Sequence, residues 1–225
     1  MQLVVYDTVE ETHLGAAHRI AELIGEAEGR FSLGLAGGST PKGAYEALRG
    51  RATGWDGVDA WLSDERWVPH DDDRSNGRMA AEALMDHVPA RFFRPRWSEL
   101  MTPADSAAHY EATLRSIHDR RHPDLVLLGM GEDGHTASLF PDSPALAEDG
   151  RWFVANRIPE TGEPRLTATY PLLWASNRLL VMTTGERKAQ ALKDSFDGTT
   201  PAGRVGEGDA EVEWHVDRAA ASLLS

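Results

Sequence analysis

His135 closes the stretch Gly129-Met130-Gly131-Glu132-Asp133-Gly134-His135, so an imidazole follows two acids in a segment loosened by three glycines. An imidazole can take up and return a proton near neutral pH, and a neighbouring carboxylate can fix which ring nitrogen carries the hydrogen. The same glycines spell G-x-G-x-x-G, the spacing of a dinucleotide-binding turn, which requires a helix after the third glycine. Here Pro141 and Pro144 break any helix within two turns of Gly134, and the motif lies past mid-chain rather than opening a domain. The glycines are therefore expected to shape a loop that presents Glu132, Asp133 and His135. The plainer alternative is an exposed or structural histidine.

Three other segments carry candidate chemistry. In Ala36-Gly37-Gly38-Ser39-Thr40-Pro41, two glycines allow close backbone approach to an anion, two hydroxyls follow, and a helix start supplies N–H groups and a positive dipole end. The spacing is not that of the nucleotide P-loop, and a tight strand-to-helix turn with a threonine cap would look the same. In Ser63-Asp64-Glu65-Arg66, Asp64 and Arg66 share a face only if the preceding strand continues through them. The run Asp71–Asp73 is expected to be a solvated loop, since it lacks the twelve-residue calcium pattern. In Thr183-Thr184-Gly185-Glu186-Arg187-Lys188, Thr184, the Gly185 backbone and Lys188 could meet an anion or simply begin a helix. Arg165 starts a further strand, as a second cation or a plain surface charge.

Other candidates fall away. His118 and His122 have a zinc-like separation but lack the glutamate of H-E-x-x-H, and Pro123 follows; both are read as surface residues. His70 and His215 are assigned no chemistry. A G-x-S-x-G nucleophile elbow is absent. The chain has no cysteine, which removes disulfides, thiolate catalysis and thiolate-bound metals. A formal net charge of −13 opposes broad nucleic-acid binding but leaves room for a small anion held by a local cationic cluster. The N-terminus has no basic n-region, and no run of eighteen apolar residues occurs, so neither a signal peptide nor a membrane span is expected and a cytoplasmic location is.

The elements that must position these loops alternate along the chain. Strands are expected at 3–6, 31–36, 58–63, 124–130, 151–156, 165–170, 178–184 and 212–216. Helices are expected at 8–28, at 41–50 with Pro41 first, after a Ser75 cap, from Pro103 to about 121, and at 186–196. This order predicts an α/β fold, a mainly parallel Rossmann-like sheet with helices on both faces, built as one domain over residues 1–225. Ligands in such sheets bind beyond the C-terminal strand ends, where all four segments fall. Residues 197–211 are expected to form a mobile loop.

Taken together, LAGGSTPKGAYEAL, WLSDERWVPHDDDRSNGRMA, PDLVLLGMGEDGHTASLFP and RLTATYPLLWASNRLLVMTTGERKAQAL resemble the motif blocks of the 6-phosphogluconolactonase family, in the same order. The resemblance covers residues 35 to about 192, and VEWHVDRAAASLL is similar to the family's ending. It implies the fold of the sugar-phosphate isomerases and deaminases. It also implies hydrolysis of 6-phosphoglucono-1,5-lactone in the oxidative pentose phosphate pathway, without metal or cofactor. The partner would be a small sugar-phosphate lactone, with no nucleic acid and no membrane. By motif, Gly37, Gly38, Ser39 and Thr40 would hold the phosphate, with Arg165 and Lys188 supplying charge. His135 would act on the lactone near Asp64, Arg66 and Asp133, and Asn76 would line the pocket. The alternative is the related glucosamine-6-phosphate deaminase, whose histidine loop continues into an Asn-Glu-Pro segment with a glutamate that assists the histidine. This chain has Ser138-Leu139-Phe140-Pro141 there. A non-catalytic sugar-phosphate-binding regulator would need a basic helix-turn-helix segment, and none is visible.

Overall fold

The computed structural model describes residues 1–51, 53–118 and 122–224. Its strands are β1 (Gln2–Tyr6), β2 (Phe31–Leu35), β3 (Val58–Leu62), β4 (Asp64–Arg66), β5 (Arg91–Phe93), β6 (Leu125–Gly129), β7 (Phe153–Arg157), β8 (Pro164–Ala168), β9 (Arg178–Thr183) and β10 (Glu211–Asp217). Its α-helices are α1 (Val9–Glu26), α2 (Ser39–Leu48), α3 (Asn76–Ala83), α4 (Pro103–His118), α5 (Tyr170–Trp174) and α6 (Ala189–Phe196). Seven strands form one parallel sheet in the order β1-β10-β9-β6-β2-β3-β5.

The central strands are apolar on both sides because both faces are covered. Along β6, Leu125 and Leu127 enter the core beneath α1, α2 and α3, whereas Val126 and Leu128 enter the core beneath α4, α5 and α6. In β9, Leu180 and Met182 take the first side and Leu179 and Val181 the second. Local signals mark the helix starts. Thr8 and Glu11 form a reciprocal capping box at α1, and the Ser75 hydroxyl accepts from the Arg78 N–H at α3. Among the described residues no helix is long and apolar enough to cross a membrane.

The chain leaves β2 toward β3 on one side and leaves β6 toward β9 on the other. Strand order therefore reverses between β2 and β6, and the loops after these two adjacent strands diverge from a crevice. The glycine-rich loop before α2 and the GMGEDGH loop flank this crevice.

Several expectations need correction. The strands read at 151–156 and 165–170 do not join the parallel sheet. They become β7 and β8, which with β4 make a separate antiparallel sheet in the order β4-β8-β7. Ser63 is the hinge between sheets: its N–H bonds to the Leu35 carbonyl at 2.8 Å and its carbonyl accepts from Ala168 N–H at 2.7 Å. Helix α2 begins at Ser39 rather than Pro41, and Gly38, at φ +103°, is its N-cap. Pro41 still lies in the first turn, where its missing N–H leaves no bond unmade. The stretch 186–196 splits into a 3-10 turn at Glu186–Lys188 and α6.

Residues 197–211 are not an open loop. Ala202 and Val205 are fully buried, Tyr170 donates to the Pro201 carbonyl at 2.9 Å, and Ala202 N–H bonds to the Gly134 carbonyl at 2.9 Å. His118 is not a surface residue either. It is buried where α4 meets β2, with Nε2 2.7 Å from the Ser32 hydroxyl and Nδ1 2.6 Å from the Leu114 carbonyl. The expected end of this helix at 119–121 lies outside the described residues.

Candidate active site

The crevice is built from its glycines outward. A Cβ on Gly37 would lie 1.9 Å from Asn76 Oδ1, so only hydrogen fits there. That close approach brings the loop after β2 against the start of α3. No side chain caps the N-terminus of α2, so the first-turn N–H groups of Ser39 and Thr40 face the crevice uncapped. Thr40 Oγ1 lies 2.8 Å from Thr184 Oγ1, which ties this turn to the loop after β9.

Because β4 is a strand, Asp64 and Arg66 do share a face, and Glu65 points the other way. Glu65 is 5% exposed and accepts from Arg66 N–H (2.8 Å), Asn76 N–H (2.7 Å), Gly77 N–H (2.8 Å) and the Ser75 hydroxyl (3.0 Å). Burial pushes its carboxyl above the usual range, against the downward pull of those donors. The bonds fasten the start of α3 to β4 and so place Asn76. Asn76 Nδ2 donates to the Asp64 carbonyl at 3.0 Å, and its buried Oδ1 has no partner among the described residues. Asp64 is itself buried, and its Oδ2 accepts from the Ser138 hydroxyl at 2.8 Å.

The GMGEDGH loop folds back on itself through Gly131 N–H to the His135 carbonyl at 2.8 Å and a bridge between Met130 and Thr136. No helix follows. His135 Nδ1 lies 2.6 Å from Asp133 Oδ1, which also accepts the His135 backbone N–H at 3.1 Å. This pairing makes Nδ1 the protonated nitrogen of a neutral ring and leaves Nε2 as the basic one. Burial raises the Asp133 carboxyl, but the bond and charge of His135 outweigh it and the group is held below its ordinary value. Gly131 makes room for the pair, since a Cβ there would fall 2.1 Å from His135 Nδ1 and 2.3 Å from Asp133 Oδ1. Gly134 supplies a left-handed turn at φ +77° and packs on Thr200. Phe140 covers one side of the imidazole at a centroid distance of 4.7 Å.

Two cations complete the wall. Arg165 is directly opposite Arg66 across β4 and β8, and Glu163 bonds Arg165 at 3.0 Å. Lys188 ends the 3-10 turn after β9. Burial lowers its pKa, opposed by the charges of Glu132 and Asp133.

These groups surround one cavity of about 330 Å3. It brings together Gly37, Gly38, Ser39, Thr40, Asp64, Arg66, Asn76, His135, Arg165 and Lys188. Asp133 stands behind His135 rather than in the wall, and Glu132 turns away to pair with Arg187 at 3.3 Å. Ser138, Phe140 and Ile158 also line the cavity and were not anticipated. Ser138 meets Asp64 across 74 residues of sequence, so no local pattern could reveal it. Among the described residues no group of three His, Asp or Glu side chains is placed to hold a metal ion.

The sequence profile of glucosamine-6-phosphate isomerases/6-phosphogluconolactonase matches residues 7–214. The chain belongs to this family. A family relative from Nostoc sp., a 6-phosphogluconolactonase, is 37% identical over 209 residues, covering 88% of this chain and 86% of that protein. The 6-phosphogluconolactonase of Synechocystis sp. is 35% identical over 96% of this chain and 93% of its own length. Among solved structures, the 6-phosphogluconolactonase of Trypanosoma brucei superposes with a TM-score of 0.86 at 25% identity, covering 100% of this chain and 98% of that one. A monomeric glucosamine-6-phosphate deaminase shares the family fold, with a TM-score of 0.84 at 24% identity over 99% of this chain and all of that one.

Proposed function

We propose that the protein hydrolyses 6-phospho-D-glucono-1,5-lactone to 6-phospho-D-gluconate, with His135 as the base that activates water. The observation that carries this reading is a single cavity lined by two kinds of group. The uncapped α2 terminus, Ser39, Thr40, Lys188 and Arg165 suit a phosphate. His135, whose Nδ1 is engaged by Asp133, lines the same cavity with Arg66 and Asp64.

The phosphate anchors the substrate and contributes binding energy to orienting the remote lactone carbon. Water attacks the lactone carbonyl while His135 Nε2 takes its proton, and the carbonyl electron pair becomes an oxyanion that Arg66 stabilises. The tetrahedral intermediate collapses with cleavage of the bond from the carbonyl carbon to the ring oxygen. The imidazolium returns its proton to that oxygen, which leaves as the sugar hydroxyl.

The chief alternative, deamination of glucosamine 6-phosphate, has less support. In this chain Ser138 donates to Asp64, and an apolar ring, Phe140, packs against His135 where that chemistry would use a further acid. Supplying each substrate separately tests the choice. Acid release from the lactone above its spontaneous rate is expected. Ammonia release from glucosamine 6-phosphate without lactone hydrolysis would reverse the assignment.

A further inference from the structure

Asp217 ends β10, and Val216 just before it is paired with Thr183, the last residue of β9. The Asp217 carboxylate is buried but does not line the catalytic cavity. Its Oδ1 accepts two backbone N–H groups, from Gly185 at 2.9 Å and from Ala220 at 2.8 Å, the latter opening the 3-10 turn Ala220–Leu223. No cation pairs with it among the described residues, and the neighbouring Arg218 turns to Asp7 instead. A buried carboxylate ordinarily meets a counter-ion. Here it is spent on backbone, and one of the two amides it holds belongs to a loop of the cavity.

The Gly185 N–H is part of the peptide that joins it to Thr184, so this bond sets the plane from which both sides of the loop depart. On one side the Thr184 hydroxyl lies 2.8 Å from that of Thr40 in α2. On the other the Gly185 carbonyl accepts the Lys188 N–H at 3.0 Å, closing the 3-10 turn that ends on Lys188. Gly185 stands at φ +92°, a conformation that suits glycine alone, so no side chain of its own steadies the turn. The Lys188 ammonium has neither a hydrogen bond nor an ion pair among the described residues. The backbone of the turn therefore decides where that charge stands in the cavity wall. We propose that Asp217 is a positioning residue for anion binding, holding Thr184 and Lys188 in place beside the α2 terminus through the Gly185 N–H. The proposal rests on the reading of Lys188 as a phosphate contact.

Calorimetric binding of 6-phosphogluconate, with steady-state kinetics on the lactone, tests it. Asp217→Ala should weaken binding by about tenfold and raise KM to match, with kcat little changed, because phosphate contacts hold ground and transition states alike. Asp217→Asn keeps an acceptor oxygen and should restore affinity to within about threefold of wild type. In protein already carrying Lys188→Ala, the Asp217→Ala change should cost no more than about threefold, since the charge it positions is gone. Asp217→Ser, whose hydroxyl stops short of the Gly185 N–H, replaces the alanine variant if that protein does not fold. Unchanged affinity in Asp217→Ala, an equal loss with and without Lys188, a fall in kcat at unchanged KM, or no rescue by Asp217→Asn would overturn the positioning role. Wild-type protein that binds no 6-phosphogluconate, or a Lys188→Ala protein that binds it as tightly as wild type, would instead overturn the anion reading and the proposal with it.

Discussion

Arg66 and Arg165 face each other directly across the antiparallel β4–β8 pair, two like charges at adjoining positions in the wall of one cavity. Such a pair is unfavourable in a bare sheet. Glu163 offsets it in part, by bonding Arg165 at 3.0 Å, yet Glu163 also serves Arg74 at 3.2 Å. A bound anion would relieve the remaining repulsion, so the pair couples the architecture of the second sheet to ligand charge.

Arg165→Ala should raise KM roughly 10- to 150-fold, the worth of one charge-assisted contact at about 1.5–3 kcal/mol, with a smaller change in kcat. Phosphate contacts hold ground and transition states alike, so they act mainly on KM. Steady-state kinetics of the variant check this. A fall in kcat at unchanged KM would move Arg165 from the phosphate to the reacting carbon.

Lys188 gives a pH dependence whose sign follows from burial. Its pKa is lowered, so the ammonium loses its proton at a lower pH than a free lysine would, and anion affinity should fall as pH rises through that value. Lys188→Arg should keep affinity through the same alkaline range, because guanidinium stays protonated. Calorimetric binding of 6-phosphogluconate avoids the instability of the lactone at high pH. Parallel pH curves for the two proteins would remove Lys188 from the anion site.

Asp59 gives a stability test far from the cavity. It is 2% exposed in β3, and Arg30 and Arg91 both bond it, Arg91 at 2.5 and 2.6 Å. Burial raises its pKa, but the two guanidiniums prevail and hold it down to about 2. A depressed folded value means that the stabilisation is present above the unfolded pKa, near ~4, and is lost as pH falls toward the folded value. Asp59→Asn should therefore cost on the order of 2 kcal/mol at pH 7, with the gap to wild type closing between about pH 4 and 2. Urea unfolding at a series of pH values measures it. A constant gap would show that the bonding geometry, rather than the charge, matters.

The sequence exposes some of this architecture and hides the rest, for identifiable reasons. The apolar run of β6 and the Ser75 cap are local signals, and they stand where the sequence places them. The four loops fall at strand ends, which suffices to nominate the polar groups His135, Asp64, Arg66, Ser39, Thr40 and Lys188 of the cavity wall, while Asn76 rests on the family resemblance and Ser138, Phe140 and Ile158 carry no local signal. The second sheet was missed because Asp64-Glu65-Arg66 has no apolar alternation, and its partner strand lies about a hundred residues away. The burial of His118 is hidden from the sequence because its partner, the Ser32 hydroxyl, lies 86 residues away and no spacing in α4 reveals it. Residues 197–211 read as an open loop by composition, yet Thr200–Gly203 and Val205 are buried, with the Ala202 N–H on the Gly134 carbonyl, while 197–199, 206 and 207 stay exposed.

Gly131→Ala probes the space beneath the His135–Asp133 pair. An added Cβ would overlap both side chains, so the pair must separate or rotate. The expected result is a loss in kcat approaching that of removing the base, with KM changed little and the fold retained, as judged by melting temperature. Wild-type kcat would mean that the pairing is dispensable.

The most direct measurement is the turnover of His135→Asn, corrected for spontaneous lactone hydrolysis. A general base is worth roughly 10²–10⁴-fold, so kcat should fall by that factor while KM stays close to wild type, because the groups proposed to hold the phosphate are untouched. Asp133→Asn should give an intermediate loss, since it disturbs the ring's tautomer without removing the ring. If His135→Asn keeps near-wild-type kcat, His135 is not the base, and Asp64 becomes the group to replace next.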